Sequence, residues 1–188
     1  MRLLGAAANA ALRLSIAYFL VEVLRNPNDP RFAGKAIPIR NLVIVGGMSL
    51  LIPALHFPLK RWKRYPLWTD DLWLSVFCLD MAGNSFDLYD TYTHFDLIPH
   101  FHGTGASTAV IAALTGVTEG RALAIGNAAH ALLEAQEILT DVFAGTHNVR
   151  GPSDTIGDLV AGALGSLVYV RLFRGLRRET ARRAYGPA

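Results

Sequence analysis

Acidic and imidazole side chains recur at helical spacing inside three apolar stretches of this 188-residue chain. Within each stretch the intervals are three or four residues, which places the side chains on one face of a helix. In chain order these residues are Asp80, Asn84 and Asp87; then His130, Glu134, Glu137 and Asp141; then Asp154 and Asp158. Such faces predict a polar site assembled between helices.

Carboxylates combined with imidazoles are typical ligands of zinc, manganese or iron. The charge pattern favours a bound cation, because the segment from Asp80 to Asp158 holds ten acids but only two bases, Arg121 and Arg150. Ion pairs are therefore not expected to neutralise these acids. Protonated carboxyl groups or a bound cation are the two remaining explanations for charges at bilayer depth.

We predict a divalent metal ion as the cofactor, held by ligands from these faces and from the loop before the fourth span. The candidate metal ligands are His130, Glu134, Glu137, Asp80, Asp87, His100, His102 and Asp158. Glu134 and Asp80 lie deep in their stretches and are also the candidate catalytic residues, as ligand or general base. Two local alternatives stay open: Asp87 in a solvated loop, and Asp154 as the N-cap of the last helix.

The composition points to a membrane. The chain has 52% hydrophobic and 18% charged residues and a mean hydropathy of +0.29. The single cysteine, Cys78, excludes a disulfide scaffold, and the hydrophobic content excludes intrinsic disorder. A pI of about 9.2 is compatible with nucleic-acid binding, but the basic runs flank long apolar segments. We therefore expect a membrane protein without a nucleic-acid partner.

The predicted fold class is all-α, a polytopic membrane bundle of about six transmembrane helices, since each span needs roughly 20 mostly apolar residues. The spans are predicted at about 3–24, 39–59, 67–89, 102–117, 122–144 and 155–173. They form a single transmembrane domain over residues 1–174, and residues 175–188 form a basic cytoplasmic tail. A soluble helical bundle is the alternative, but 188 residues offer too few polar faces to cover so many apolar helices.

Lysine and arginine set the predicted orientation, because they concentrate on the cytoplasmic side of membrane proteins. The bases at 60–64, Arg121 and the tail share one side of a six-span arrangement, which places both termini in the cytoplasm. The polar faces of the third, fifth and sixth spans then all lie in the outer half of the bilayer, where they can converge. The outer loops add His94, Asp96, His100, His102 and His147.

Two stretches resemble known bacterial membrane proteins. The first is Asp80-x-x-x-Asn84-x-x-x-Leu88-Tyr89-Asp90 with His94-Phe95-Asp96 and His100-Phe101. It resembles a run of the YjdF-like inner-membrane proteins, a family of unknown function. The second is Glu134-x-x-Glu137 with Asp154-Thr155-x-x-Asp158 and Gly162-x-x-Gly165. It is similar to the carboxyl half of that family and to the VanZ-like membrane proteins. The resemblance implies a multi-pass fold in the bacterial cytoplasmic (inner) membrane, and it supplies no reaction.

A third similarity concerns residues 150–165, which resemble the closing motif of membrane phosphatidic-acid-type phosphatases. Those enzymes need a Pro-Ser-Gly-His motif and an upstream lysine–arginine motif to hold phosphate, and this sequence has neither. The histidine of the closing motif also has no counterpart between Arg150 and Asp158. These gaps disfavour a lipid-phosphate phosphatase.

The predicted function is that of a multi-pass membrane protein with an outward-facing, acidic and histidine-lined cavity that binds a cation and supports hydrolysis at the outer leaflet. Whether the chain is an enzyme stays open at this point, since no nucleophile elbow, Walker loop, dinucleotide fingerprint or His-Glu-x-x-His motif is present. The alternatives are a small proton-coupled transporter or permeability factor and a non-catalytic membrane partner. The expected partners are the lipid bilayer and a lipid or cation ligand.

Overall fold

The computed structural model describes residues 2–56 and 65–175, and every regular element in these ranges is a helix. The all-α class is thereby confirmed for the described part of the chain. The predicted basic loop at 60–64 and the predicted basic tail after residue 175 lie outside the described residues.

The helices follow one another along the chain with short connections. Their bounds are α1 (Arg2–Arg25), a 3₁₀ turn (Pro30–Phe32), α2 (Ile37–Arg40), a π-helical turn (Asn41–Val45), α3 (Gly46–Met48), α4 (Leu51–His56), α5 (Leu67–Ser85), α6 (Leu88–Thr91), α7 (Leu97–Thr115), α8 (Glu119–Ala144) and α9 (Pro152–Leu172). Residues 37–56 run on as one irregular helix, which we call the second segment. α7 and α8 end where Gly116 and Gly145 adopt positive φ angles, as helix C-caps commonly do.

Three helices in the described residues are long and apolar enough to cross a membrane: Leu3–Arg25, Ile37–His56 and Pro152–Leu172. Large apolar side chains also stay exposed on the outside of the bundle, among them Phe143 at 83% and Leu132 at 71%. Both features indicate membrane association. The prediction of about six spans also requires that α5, α7 and α8 cross the membrane. The mean hydropathy of these three helices is lowered by the polar side chains described below.

The third predicted span, 67–89, differs from the structure at its end. α5 stops at Ser85, and Asp87 adopts the left-handed conformation with φ of 57° before α6 begins. Short polar side chains such as Asp tolerate this conformation better than most residues do. The helix therefore breaks where the sequence prediction continued it.

The fourth predicted span, 102–117, begins five residues earlier than expected, at Leu97. Pro99 lies in the first turn of α7, where its missing N–H costs no helical hydrogen bond. His100 is consequently helical, and the prediction that it lies in a loop is wrong. His102, predicted at the boundary between the loop and the span, lies inside the helix. This shift places His100 one turn after the α7 N-cap, Asp96.

α7 and α9 form the most closely packed helix pair, and glycines allow this approach. A side chain at Gly165 would overlap the backbone of Phe101, and a Cβ at Gly105 would lie 2.8 Å from the carbonyl oxygen of Gly165. Small residues let two helix backbones touch in this way. The prediction that Gly162 and Gly165 support close helix packing is confirmed.

α5 joins the two halves of the bundle. On one side it packs along α1 around the buried side chains of Ile16, Leu74 and Met81. On the other side it packs against α7, where Leu72 contacts the cluster that includes Ala106. The bundle therefore has an α1–α5 half and an α7–α8–α9 half.

The loop between α1 and α2 is held in place by Arg31. Its guanidinium binds Asp29 at 2.8 Å and Glu22 at 3.0 Å, and it also donates to the carbonyl oxygen of Ser85. The hydrogen bonds from Arg31 lower the pKa of Asp29 to about 2. This loop consequently has a fixed position, and it carries Lys35 toward the site.

Candidate metal centre

Five ionisable side chains from α7, its N-cap, α8 and α9 meet inside the bundle. We call them the histidine–carboxylate cluster: Asp96, His100, His130, Glu134 and Asp158. His130, Glu134 and Asp158 are at most 5% exposed, and the side chain of His100 is 10% exposed. Four predicted ligands are therefore brought together from three helices.

Three atoms of this cluster form a small triangle. Nδ1 of His100 lies 2.8 Å from Nε2 of His130 and 3.3 Å from Oε1 of Glu134, and Nε2 of His130 lies 3.2 Å from the same oxygen. Ligand atoms in a tetrahedral zinc site with bonds of about 2.0 Å are separated by about 3.3 Å. An ion about 1 Å above the plane of this triangle is thus within bonding distance of all three atoms.

A hydrogen bond between Nδ1 of His100 and Nε2 of His130 accounts for one side of the triangle, but hydrogen bonding does not account for the position of the Glu134 oxygen. Oε1 of Glu134 has no hydrogen-bond partner among the described residues although two imidazole nitrogens lie near it, and Nδ1 of His130 and Oδ1 of Asp158 are also buried without one. Nearly all buried polar atoms in native proteins have a partner. A cation at the triangle would supply that partner for Glu134, and two histidines with one glutamate are a ligand set of catalytic zinc.

The second nitrogen of His100 faces two carboxylates. Nε2 lies 3.3 Å from Oδ1 of Asp96 and 3.9 Å from Oδ2 of Asp158. Histidines that bind metals usually donate their other N–H to a carboxylate or carbonyl group, which fixes the tautomer and leaves the ligating nitrogen unprotonated. Asp96 is placed for this role, with Nδ1 of His100 directed at the triangle.

The imidazole of His130 fits against α9 because the facing residue, Gly162, has no side chain. A Cβ at Gly162 would overlap Nδ1 of His130 and would lie 2.7 Å from Oγ1 of Thr104. Gly162 therefore has a role beyond helix packing, since it leaves the space that the ring occupies. The sequence prediction gave this glycine a packing role alone.

A cavity of about 590 Å³ adjoins the cluster. His100, His130 and Asp96 form part of its lining, together with Glu137 and residues of the second segment. This volume falls within the range of about 300–1,000 Å³ found for small-molecule sites. Two corners of the ligand triangle, His100 and His130, therefore line the cavity.

Glu137 lies one turn beyond Glu134 on α8 and lines this cavity. It is half-buried, and within the described ranges its carboxylate has no assigned hydrogen bond or ion pair. It does not belong to either group of converging ligand atoms in the described residues. Glu137 thus lies one turn from the triangle without a hydrogen bond or ion pair among the described residues.

Asp80, a predicted ligand and catalytic residue, is paired with an arginine instead. Its carboxylate accepts hydrogen bonds from Nη2 of Arg40 at 2.7 and 3.0 Å and from the hydroxyl of Tyr89 at 3.0 Å. Lys35 similarly lies 2.6 Å from Asp90. The expectation that the acids of residues 80–158 lack partner bases is wrong at these positions, because the bases come from the loop and helix before residue 41.

The remaining predicted ligands lie apart from the triangle. His102 uses both ring nitrogens, with the hydroxyl of Tyr169 at 2.7 Å and that of Ser75 at 2.9 Å. Asp87 is half-buried in the turn before α6, outside the converging groups among the described residues. Asp154 lies in the first turn of α9, and Gly151 rather than Asp154 occupies the N-cap position.

Asp141 continues the polar face of α8 but has a structural role. Its carboxylate accepts hydrogen bonds from the main-chain N–H groups of Asn148 (2.9 Å) and Val149 (2.8 Å) and from the hydroxyl of Thr146 (2.5 Å). It therefore fixes the connection between α8 and α9. His147 in that connection is exposed, as the sequence predicted.

Sequence reasoning missed Asp96 as a partner of His100 and Arg40 as a partner of Asp80. Asp96 and His100 are four residues apart, so their contact was readable once the helix was extended to Leu97. Asp80 and Arg40 are forty residues apart, and no local pattern signals that pair.

A scan against models of protein families, a search of curated proteins and a search of solved structures each find no match to this chain. The resemblances to the YjdF-like and VanZ-like proteins therefore stay predictions.

Proposed function

We propose that this chain is a multi-pass protein of the bacterial cytoplasmic membrane that binds a divalent transition metal through His100, His130 and Glu134. We further propose that it uses this metal to hydrolyse a substrate held in the adjacent cavity. The observation that supports the proposal is the triangle of two imidazole nitrogens and one carboxylate oxygen, 2.8 to 3.3 Å apart, with its carboxylate oxygen otherwise unpartnered.

The number of ligands favours catalysis over a purely structural metal. Structural zinc sites usually have four protein ligands, whereas catalytic sites have three and keep a position for water or substrate. A metal bound in this way lowers the pKa of its water ligand to about 7 and polarises a substrate oxygen. The position left open here would face the cavity that His100 and His130 line.

Glu137 is the proposed general base. It lines the cavity, lies one turn from Glu134 on α8, and has no assigned ion pair within the described residues. A carboxylate there would take a proton from the attacking water and deliver it to the leaving group. Asp96 would act as a positioning residue, because its contact is with the far nitrogen of His100.

The proposed location rests on charge and exposure. Exposed apolar side chains on α1, the second segment, α8 and α9 suit contact with acyl chains, and the positive-inside rule puts both termini in the cytoplasm. In that orientation the cluster would lie in the outer half of the bilayer. Two fusions test this topology: a carboxyl-terminal alkaline phosphatase should be inactive, and a carboxyl-terminal green fluorescent protein should be bright.

Metal content of two histidine variants on one helix tests the site. The full chain is purified in neutral detergent, loaded with Zn²⁺, exchanged into metal-free buffer and analysed by mass spectrometry of the elements. We expect about one zinc per chain in the wild type and in His102→Gln, because His102 is bound by two hydroxyl groups. We expect a loss of roughly 100-fold or more in affinity in His100→Gln, since a first ligand should cost at least as much as the outer partners that cost 10- to 100-fold.

Circular dichroism and gel filtration of each variant report whether it is folded. Equal zinc content in wild type and folded His100→Gln, or no zinc in the wild type, would contradict the proposal. If the wild type binds no zinc, the carboxylates serve either proton-coupled transport or association of the helices. Ion flux in proteoliposomes distinguishes these two functions, because only a transporter would produce it.

A further inference from the structure

The cavity beside the metal triangle has a basic wall as well as an acidic one. Lys35, Arg40 and Arg150 all line it, and they come from the loop after α1, from α2 and from the connection before α9. Lys35 and Arg40 are each paired with an aspartate, at 2.6 and 2.7 Å. Their charges are therefore largely neutralised, and Arg150 is the basic residue of the lining whose partner is to be identified.

The guanidinium of Arg150 binds carbonyl oxygens. Nη1 donates to Thr93 at 2.8 Å and Nη2 donates to Tyr89 at 2.6 Å, and within the described residues it has no assigned ion pair. A guanidinium has five N–H donors, so these two contacts orient it and leave donors free. Arg150 thus presents a positioned positive charge to the cavity.

Another part of the cavity lining consists of apolar side chains that are also exposed on the outside of the bundle. Ile39, Ile44 and Leu133 line the cavity, and yet they are 73%, 47% and 45% exposed. Ile39 and Ile44 belong to the second segment and Leu133 to α8, whose main packing partners are α7 and α9. A ligand between these side chains would reach from the polar interior to the lipid-facing surface.

From these two walls we infer that the cavity binds an anionic amphiphile: a lipid with a phosphate or carboxylate headgroup, held at Arg150, with its chains leaving between the second segment and Leu133. The chemistry is complementary at both ends, because a guanidinium prefers such oxyanions and the apolar rim suits acyl chains. That this lipid is the substrate rests on the proposed hydrolase function. In that case the headgroup would lie between Arg150 and the metal triangle.

A soluble anion and a neutral lipid are the alternatives that the binding experiment must distinguish. Purified full-length chain in neutral detergent is titrated with phosphatidylglycerol, with phosphatidylcholine or with glycerol 3-phosphate, and complexes are counted by native mass spectrometry. We expect phosphatidylglycerol to bind about tenfold more tightly than phosphatidylcholine, the size of one good charge-assisted contact. Glycerol 3-phosphate at tenfold excess should not displace it.

Two arginine substitutions locate the headgroup. Arg150→Gln should reduce the affinity for phosphatidylglycerol about tenfold, and Arg150→Lys should restore part of it. Arg121→Gln removes an exposed arginine at the start of α8, away from the cavity lining, and should leave binding unchanged. Equal binding of both lipids, displacement by glycerol 3-phosphate, an unchanged Arg150→Gln variant, or an equal loss in Arg121→Gln would each overturn the inference.

Zinc content measured on the same samples separates this inference from the proposed function. Arg150→Gln should keep its zinc, because Arg150 does not contact the triangle. Zinc binding without lipid discrimination would overturn the lipid site and leave the metal proposal standing. Lipid discrimination through Arg150 without zinc would support the lipid site and overturn the metal proposal.

Discussion

Two groups of buried ionisable side chains lie in this bundle, and they are completed in different ways. At the start of α5, Asp70 is fully buried, and its Oδ2 accepts hydrogen bonds from Arg13 at 2.6 Å, Tyr65 at 2.7 Å and Asn9 at 2.8 Å. Asn9 also donates to Asp71 at 2.8 Å. We call these five residues the α5 amino-terminal cluster; an arginine from α1 supplies its cation.

The histidine–carboxylate cluster has no such arginine among the described residues. Its three carboxylates face imidazoles. Each group has two buried carboxylate oxygens without a hydrogen-bond partner, on Asp70 and Asp71 in the first and on Glu134 and Asp158 in the second, so the cation is what differs. The comparison shows that a buried carboxylate alone does not indicate a site. In the second group, potential ligand atoms converge but no lysine or arginine among the described residues neutralises them. This difference leads to three predictions.

The largest expected effect is on stability, in the α5 amino-terminal cluster. Arg13→Gln should lower the free energy of unfolding by about 3 kcal/mol, because it leaves the carboxylate of Asp70 buried without its cation. We place the value at the low end of the usual range since the side chain of Arg13 is 31% exposed. Thermal unfolding in detergent, followed by circular dichroism, measures the change, and zinc content should stay at the wild-type level.

Two further variants serve as comparisons for Arg13→Gln. Arg25→Gln removes an exposed arginine from the end of the same helix and should change stability by no more than about 0.5 kcal/mol. Glu134→Gln should behave in the opposite way to Arg13→Gln, with zinc lost and the metal-free stability retained. If Arg13→Gln lost zinc while keeping its stability, the two groups would not differ as described.

The next effect concerns the space for His130. Gly162→Ala should reduce zinc affinity by up to about 100-fold, because the added methyl group would push the imidazole out of the triangle. Gly157→Ala on the same helix is the matched control, since a Cβ there would make an ordinary contact of 3.4 Å with Leu97. A folded Gly162→Ala protein with wild-type zinc affinity would show that His130 is not a ligand.

The smallest predicted effect is on the outer partner of His100. Asp96→Asn should weaken zinc binding about tenfold, because an amide orients the imidazole less well than a carboxylate and makes its ligating nitrogen less basic. Competition with a chromogenic chelator measures this shift. Asp90→Asn is the comparison, since Asp90 binds Lys35 and lies outside the cluster; an equal loss there would point to a general effect of charge.

The local part of this architecture was accessible from sequence. His130 and Glu134 were predicted on one face by their spacing of four, and their contact at 3.2 Å confirms it. The close packing at Gly165 followed from small residues in an apolar helix. These are properties of single helices, where spacing determines geometry.

What the sequence could not supply depends on pairs between distant segments. The Arg40–Asp80 pair changes a predicted catalytic residue into one partner of an ion pair, and no periodicity within α5 contains that information. The role of His102 depends likewise on Tyr169 from α9. The start of α7 is a different case, because the predicted span begins at 102 whereas the helix begins at Leu97, with Pro99 in a first turn that accepts it.

The backbone contact between α7 and α9 also limits how this protein can move. At Gly105 and Phe101 the backbone of α7 lies directly against Gly165 of α9, so we expect the two helices to move as one stiff unit. Asp96, His100 and Asp158 belong to that unit and keep their spacing through thermal fluctuation. The displacement that admits or releases a ligand must then occur elsewhere, between α8 and the irregular second segment, whose π-helical turn interrupts regular helical hydrogen bonding.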